Sequence, residues 1–164
     1  MDKHRFAERM QAGKQKYYRM AYCYVKNEHD ALDIVSEAAY KGLKNIHTLR
    51  QPEYFDTWMT RIVMNAATDF LRKNARCTPC EDTVLETVAV PEQALTPEDS
   101  LDLYAALGSL GDRDRSCVVL RYFEGYGFSE IADILQEAEP AVKSRLYRAL
   151  KKMRVVLEKG DAGR

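Results

Sequence analysis

The sequence holds no run of about 18 consecutive apolar residues, so no segment can cross a bilayer as a helix. Nothing apolar follows the charged start MDKHRFAERM, which argues against a secretory leader and predicts a cytoplasmic chain with no direct membrane insertion. Strand-like alternation of useful length is missing as well. So are a glycine-rich phosphate loop, a clustered His/Glu metal set and a nucleophile motif. A non-enzyme is therefore expected, with no catalytic residues, no metal and no cofactor. Cysteine is sparse, at four residues, and in a cytosolic chain these are expected to be free thiols. Net charge is absent too, since 25 Lys and Arg balance 25 Asp and Glu. Taken alone, that balance argues weakly against a nucleic-acid partner.

The balance hides a segregation. From Cys77 to Asp112 there is no Lys or Arg, while Glu81, Asp82, Glu86, Glu92, Glu98, Asp99, Asp102 and Asp112 are acidic. From Lys143 to Lys159 the sign reverses, with Lys143, Arg145, Arg148, Lys151, Lys152, Arg154 and Lys159 set against Glu158 alone. A basic C-terminal segment of that kind can seek phosphates whatever the total charge.

Helical periodicity runs through most of the chain and predicts an all-α fold. Tyr17, Met20, Ala21, Tyr24 and Val25 recur at helical spacing, as do Leu32, Val35, Ala39, Leu43 and Ile46. A third helix carries Phe55, Trp58, Met59, Ile62, Val63, Ala66 and Phe70, with Pro52 suited to its first turn. The pattern stops near Cys77. The stretch CTPCEDTVLETVAVPEQALTPEDS holds Pro79, Pro91 and Pro97 among its acids and reads as a linker between domains. An ordered loop packed through Val84, Leu85, Val88 and Val90 is the other reading. Periodicity resumes at Leu103, Ala106, Leu107 and Leu110. Asp112 is a candidate N-cap for a helix carrying Val118, Val119 and Tyr122. After a break at Glu124 to Gly127, Ser129 can cap a short helix with Ile131, Ala132 and Leu135 inward. A polar turn, Gln136 to Glu139, leads to Pro140 and the last helix.

Two helices joined by a turn of about four residues, the second strongly basic, make a helix-turn-helix pattern. At about 100° per residue, Val142, Leu146, Ala149, Leu150, Met153 and Leu157 fall on one side of the last helix. Lys143, Ser144, Tyr147, Arg148 and Lys151 fall opposite. That set suits a major groove, with Lys or Arg toward guanine edges and phosphates, Ser toward either, and Tyr toward a thymine methyl or sugar. The spacing places Lys143, Ser144, Tyr147 and Arg148 at base edges, and Arg145, Lys151, Lys152 and Arg154 near phosphates. A solvated basic face is the plainer alternative. The third helix poses the same choice. Arg61, Asn65, Thr68 and Arg72 lie opposite its apolar face, with Asp69 at the edge. An Asn flanked by two Arg suits a nucleic-acid strand. Taken alone, the pattern favours an ordinary surface with an Asp69–Arg72 pair.

Longer motifs bear on both choices. Leu107, Leu110, Arg115, Leu120, Glu124-Gly125, Ser129-Glu130-Ile131-Ala132 and Val142-Lys143-Ser144-Arg145-Leu146-Tyr147-Arg148-Ala149 occur in the order typical of region four of the extracytoplasmic-function sigma factors. Tyr17 to Lys73 resembles region two of the same family, through Asp30-Ala31-Leu32-Asp33 and Trp58-Met59-Thr60-Arg61-Ile62-Val63-Met64-Asn65 with Asp69 and Arg72. The departures are Leu32 and Ser36 for the usual Glu and Gln, Gly111 for Pro, Gln136 and Pro140 at two glycine positions, and Ala141 for Thr.

The resemblance implies two small helical domains joined by an acidic linker. Residues 1–75 would be sigma region 2, 76–100 the linker, 101–159 sigma region 4 and 160–164 a tail. It implies that Asp30, Asp33 and Glu37 dock on the clamp helices of the largest subunit of core RNA polymerase. It implies that Arg61, Asn65, Thr68, Asp69, Arg72 and Lys73 face the −10 element, with the loop Thr48 to Tyr54 holding a flipped promoter base. Lys143, Ser144, Arg145, Tyr147, Arg148 and Lys151 would face the −35 element. An anti-sigma protein is a further implied partner. A stand-alone helix-turn-helix regulator explains only the C-terminal half, and a helical interaction adaptor is the third reading. Cys77-Thr-Pro-Cys80 lacks the further ligands a structural zinc site needs. Its readings are two incidental linker thiols, a redox pair, or a zinc site shared with a partner.

Overall fold

The computed structural model describes residues 1–75 and 97–162. Both segments are helical, and no strand occurs among the described residues. The chain divides into two compact units, Met1–Val84 and Leu85–Arg164. The Cys77–Cys80 pair, and most of the stretch read as a linker, lie outside the described residues.

The N-terminal unit contains helices α1 (Lys3–Ala12), α2 (Lys14–Val25), α3 (Glu28–Lys44) and α4 (Phe55–Ala75). Their starts follow from capping chemistry. Asp2 accepts from the Arg5 amide at 2.8 Å, and Asn27 accepts from the Asp30 amide at 3.0 Å. Lys26 ends α2 in the left-handed region, at φ 53°. The turn that follows lets α2, α3 and α4 pack mutually, with α1 laid on α2 and α3. Phe6 of α1 is buried and meets Phe55 edge-on, with centroids 5.6 Å apart. Burying such a ring contributes about 1.5–3 kcal/mol.

The buried line of α3 differs from the one its large residues suggest. Ala31, Ile34, Ala38 and Gly42 face the core, while Leu32 and Leu43 are 43% and 38% exposed. The cause is close approach. A Cβ on Gly42 would stand 3.0 Å from the Met59 Sδ and 3.1 Å from the Phe6 ring. A small residue is therefore needed at 42, with Ala31, Ile34 and Ala38 completing the buried line and Leu32 and Leu43 standing beside it. In α4 the buried line is Phe55, Met59, Val63, Met64, Ala66 and Ala67, with Trp58, Ile62 and Phe70 at its margins. Pro52 precedes this helix, in a separate 3-10 turn Pro52–Tyr54.

The C-terminal unit contains α5 (Pro97–Gly108), α6 (Asp112–Val118), α7 (Phe128–Leu135) and α8 (Glu139–Ala162). Helix α5 begins inside the stretch read as linker, and α8 continues into the stretch read as tail. Helix α8 packs on α5, α6 and α7, and Val142, Leu146, Ala149 and Met153 are its buried side. Leu150, read as inward, is at the rim and 36% exposed.

Three local expectations change. Gly111, not Asp112, caps α6, and Asp112 turns its carboxylate toward Arg115 at 3.7 Å. Gly127, not Ser129, caps α7, and its amide donates to Glu130 Oε2 at 2.9 Å. Tyr122, expected inward, is 59% exposed. It lies in a π-helical turn, Val119–Phe123, where the Glu124 amide reaches back to the Val119 carbonyl at 3.1 Å. The extra residue in that turn rotates Tyr122 out of register with Val118 and Val119.

Among the described residues of this unit, Arg115 is the buried cation. Its Nε donates to the Leu107 carbonyl at 3.1 Å, and its Nη2 to the carbonyls of Leu110 at 2.9 Å and Gly108 at 3.3 Å. These lie at and just beyond the end of α5, where carbonyls lack helical partners.

Candidate nucleic-acid interface

Gln136 closes α7 in the left-handed conformation, φ 55° and ψ 44°, at one of the positions where the family pattern has glycine. The Ala132 carbonyl accepts from the amides of both Gln136 and Glu137, the latter at 3.0 Å. The chain then enters α8 with Pro140 in its first turn, where a missing N–H is no loss. Lys143, Ser144, Tyr147, Arg148 and Lys151 are all exposed on one side of α8, and Tyr147 is 77% exposed. The sequence-derived wheel for these five residues thus matches their exposure.

The cations of this face are not all alike. The Lys143 ammonium lies 3.5 Å from the Glu139 carboxylate and 5.3 Å from the centre of the Phe128 ring. The Arg121 guanidinium lies 4.5 Å from the centre of that same ring and donates to the Tyr126 carbonyl at 3.1 Å. Phe128 therefore links two cations, each held by cation–π attraction. Neither Arg121 nor Phe128 belongs to the motif positions singled out for DNA. The cluster draws Arg121 from the π-helical turn, Phe128 from α7 and Lys143 from α8, so no local spacing announces it.

Arg145 departs from the reading that put it near phosphates. Its Nε and Nη2 fork onto Glu137 at 3.2 Å each, and its Nη1 donates to Asp114 at 3.1 Å. Burial works against its charge. The hydrogen bonds and field of Asp114 and Glu137 outweigh burial and hold the guanidinium above its ordinary pKa. Cys117, buried nearby on α6, is pushed up to about 11, chiefly by burial, so its thiol stays neutral at physiological pH.

In the N-terminal unit the residues read as −10 contacts lie along α4. Asn65, Asp69, Arg72 and Lys73 are exposed, and Arg61 and Thr68 are half-buried. The loop before α4 is anchored at its start. Leu49 is buried, and the Trp58 indole N–H donates to the Thr48 hydroxyl at 3.3 Å. Tyr54 projects from the same loop.

On α3, Asp33 is exposed, while Asp30 and Glu37 are half-buried. The Lys41 ammonium binds Glu37 at 2.8 Å and lies 3.9 Å from Asp69 of α4. That hydrogen bond holds the Glu37 carboxyl below its ordinary value. The exposed Leu32, Tyr40 and Leu43 share this helix with the three acids, so the surface is mixed acidic and apolar. His29 lies close to Asp30 and Asp33, at 3.6 and 3.4 Å.

No helix among the described residues is long and apolar enough to cross a membrane. The family description Sigma-70 region 2 matches residues 10–77, and Sigma-70, region 4 matches residues 100–153. The RNA polymerase sigma factor SigV of Bacillus subtilis (strain 168) is 41% identical over 148 residues, spanning 90% of this chain and 88% of that protein. The ECF RNA polymerase sigma factor SigW of the same organism is 30% identical over 167 residues, spanning 93% and 89%. The sigma factor RpoE of Bartonella quintana, solved in complex with the anti-sigma factor NepR, shares the fold at TM-score 0.73 and 21% identity, spanning 93% of this chain and 96% of that one.

Proposed function

This chain belongs to the extracytoplasmic-function branch of the sigma-70 family, and we propose that it acts as an alternative sigma factor that binds core RNA polymerase, engages the −10 and −35 promoter elements and directs transcription initiation. The observation that carries this reading is the presence of both a region 2 unit and a region 4 unit in one chain. A stand-alone helix-turn-helix regulator leaves the N-terminal unit without a task.

Residues 1–75 form the unit that docks on polymerase and opens DNA, 76–100 the acidic linker, and 101–159 the unit that reads the −35 element, with 160–164 the tail. Asp30, Asp33 and Glu37 meet the clamp helices of the largest subunit, flanked by Leu32, Tyr40 and Leu43, which supply apolar area beside the charges. Arg61, Asn65, Thr68, Asp69, Arg72 and Lys73 face the −10 strand. Lys143, Ser144, Tyr147, Arg148 and Lys151 face the −35 duplex. Phosphate contacts set the register there, and base-edge contacts set the sequence.

The nucleotide chemistry belongs to the core enzyme, and the chain works in the cytoplasm, where core polymerase is. An anti-sigma protein is a further partner, consistent with the complex in which the Bartonella relative was solved.

Co-purification with core polymerase and run-off transcription from a library of genomic promoters test the reading. Stable association and initiation at a defined promoter set are expected. A chain that neither binds core nor initiates would refute it.

A further inference from the structure

Arg145 lies within the recognition helix, but its guanidinium is directed away from the face that carries Ser144, Tyr147 and Arg148. Its register-mates one and two turns on are Ala149, which is buried, and Lys152. This side of α8 meets α6. Asp114 of α6 receives Arg145 Nη1 through one carboxylate oxygen, at 3.1 Å, and its other oxygen lies 3.7 Å from the Lys152 ammonium. Glu137, from the turn, takes the Arg145 fork and also the Arg113 guanidinium. Five charged side chains from α6, the turn and α8 therefore interlock, and the anions at the centre are the least exposed. Glu137 is 13% and Asp114 16% exposed, against 25% for Arg145.

Exposed ion pairs contribute little. A forked Arg–carboxylate pair at this depth is different, because it fixes direction as well as distance. At the turn Gln136 holds a left-handed conformation without glycine's freedom, so the turn is strained there. What Gln136 does is present Glu137 to α8.

We propose that Arg145, clamped by Glu137 and Asp114, is a positioning residue that sets the direction of the recognition helix and so its selectivity for the −35 sequence, without itself touching phosphate. This inference rests on α8 being the DNA-reading helix. A helix held a few degrees off line still meets phosphates, whose attraction is forgiving, but loses base-edge hydrogen bonds, whose geometry is not. The clamp thus acts on the ratio of cognate to non-cognate binding rather than on overall attraction. A phosphate-contacting cation has the opposite signature, a salt slope reduced by about one on its removal and similar weakening on all sequences.

The test uses the full chain assembled with core polymerase, on promoters with the preferred or a scrambled −35 element, across a salt series. All variants are compared at a temperature where circular dichroism shows them folded. Arg145→Met is expected to cut the cognate-to-scrambled ratio about tenfold or more with the salt slope unchanged. Lys151→Ala is expected to lower the slope by about one and leave the ratio unchanged. Arg145→Lys is expected not to restore the ratio, because an ammonium cannot fork onto Glu137 while reaching Asp114.

Glu137→Gln guards against misfolding of the arginine variants. It adds no cation and is expected to lower the same ratio. Combined with Arg145→Met it should cost little more than either change alone. A slope reduced by about one in Arg145→Met with the ratio intact would overturn the proposal, as would Glu137→Gln that discriminates like the unaltered chain. If the unaltered chain itself shows no −35 preference, the DNA-reading role of α8 falls and this inference with it. If it discriminates, and Arg145→Met discriminates equally, the inference alone falls.

Discussion

At the scale of single residues, the side chains that decide the C-terminal unit are those whose backbone or partners are unusual. Gln136 holds φ 55° at the helix-turn-helix corner, a conformation that costs an L-residue roughly 1 kcal/mol and glycine almost nothing. Gln136→Gly should therefore stabilise the unit by about 0.5–1 kcal/mol, the gain being trimmed by glycine's greater freedom in the unfolded chain. A urea midpoint that rises with unchanged slope is the expected result, and a lower midpoint would show that the Gln side chain holds the turn. In the sequence this position already stands out as a departure from the family pattern. The sequence could not say that the left-handed geometry is kept, because backbone conformation at a corner is imposed by the helices on either side.

At the scale of elements, α5 and α6 are joined by one arginine. Arg115 satisfies the carbonyls of Leu107, Gly108 and Leu110, and it is 6% exposed. Truncation removes this donor from the Gly108 and Leu110 carbonyls, while the Leu107 carbonyl keeps the Leu110 amide, and opens a cavity beneath α6. Arg115→Ala should lower the stability of the C-terminal unit by about 3–5 kcal/mol, and Arg115→Lys should recover less than half of that, since one ammonium cannot span three acceptors. Equilibrium unfolding followed at the C-terminal unit measures both. A loss of less than about 1 kcal/mol would mean that water replaces the guanidinium. Helix α3 teaches the complementary lesson. Its amphipathic period was plain in the sequence, yet the buried side is Ala31, Ile34, Ala38 and Gly42, and at Gly42 Phe6 of α1 and Met59 of α4 approach too closely for leucine.

At the scale of the whole molecule, charge is divided by task. Helix α3 exposes Asp33, which the proposed function assigns to a protein partner, whereas α8 exposes Lys143 and Arg148, which it assigns to phosphates and bases. The two losses should be separable. Asp33→Lys is expected to weaken association with core polymerase, seen as a smaller bound fraction in a pull-down, because the sign of an exposed charge is reversed at the proposed docking surface. Arg148→Ala and Lys143→Ala are expected to reduce initiation about tenfold at promoters that depend on the −35 element, while the bound fraction stays unchanged. Equal loss of core binding in the α8 variants would mean that these residues support the fold.

Taken by itself, the sequence determined the all-helical class, the two helical modules, the acidic stretch between them and the exposed face of α8. Those features are written in local periodicity and in the order of charges along the chain, which need no knowledge of distant contacts. Tertiary structure decided which side of α3 is buried, that a π-helical turn puts Tyr122 outside, that Phe128 bridges Arg121 and Lys143, and that Arg145 serves Glu137 and Asp114. Each of these depends on a neighbour brought in from another element. In the case of Arg145, the partner on α6 lies 31 residues away, and an arginine on a basic helix carries no mark of which anion it will meet.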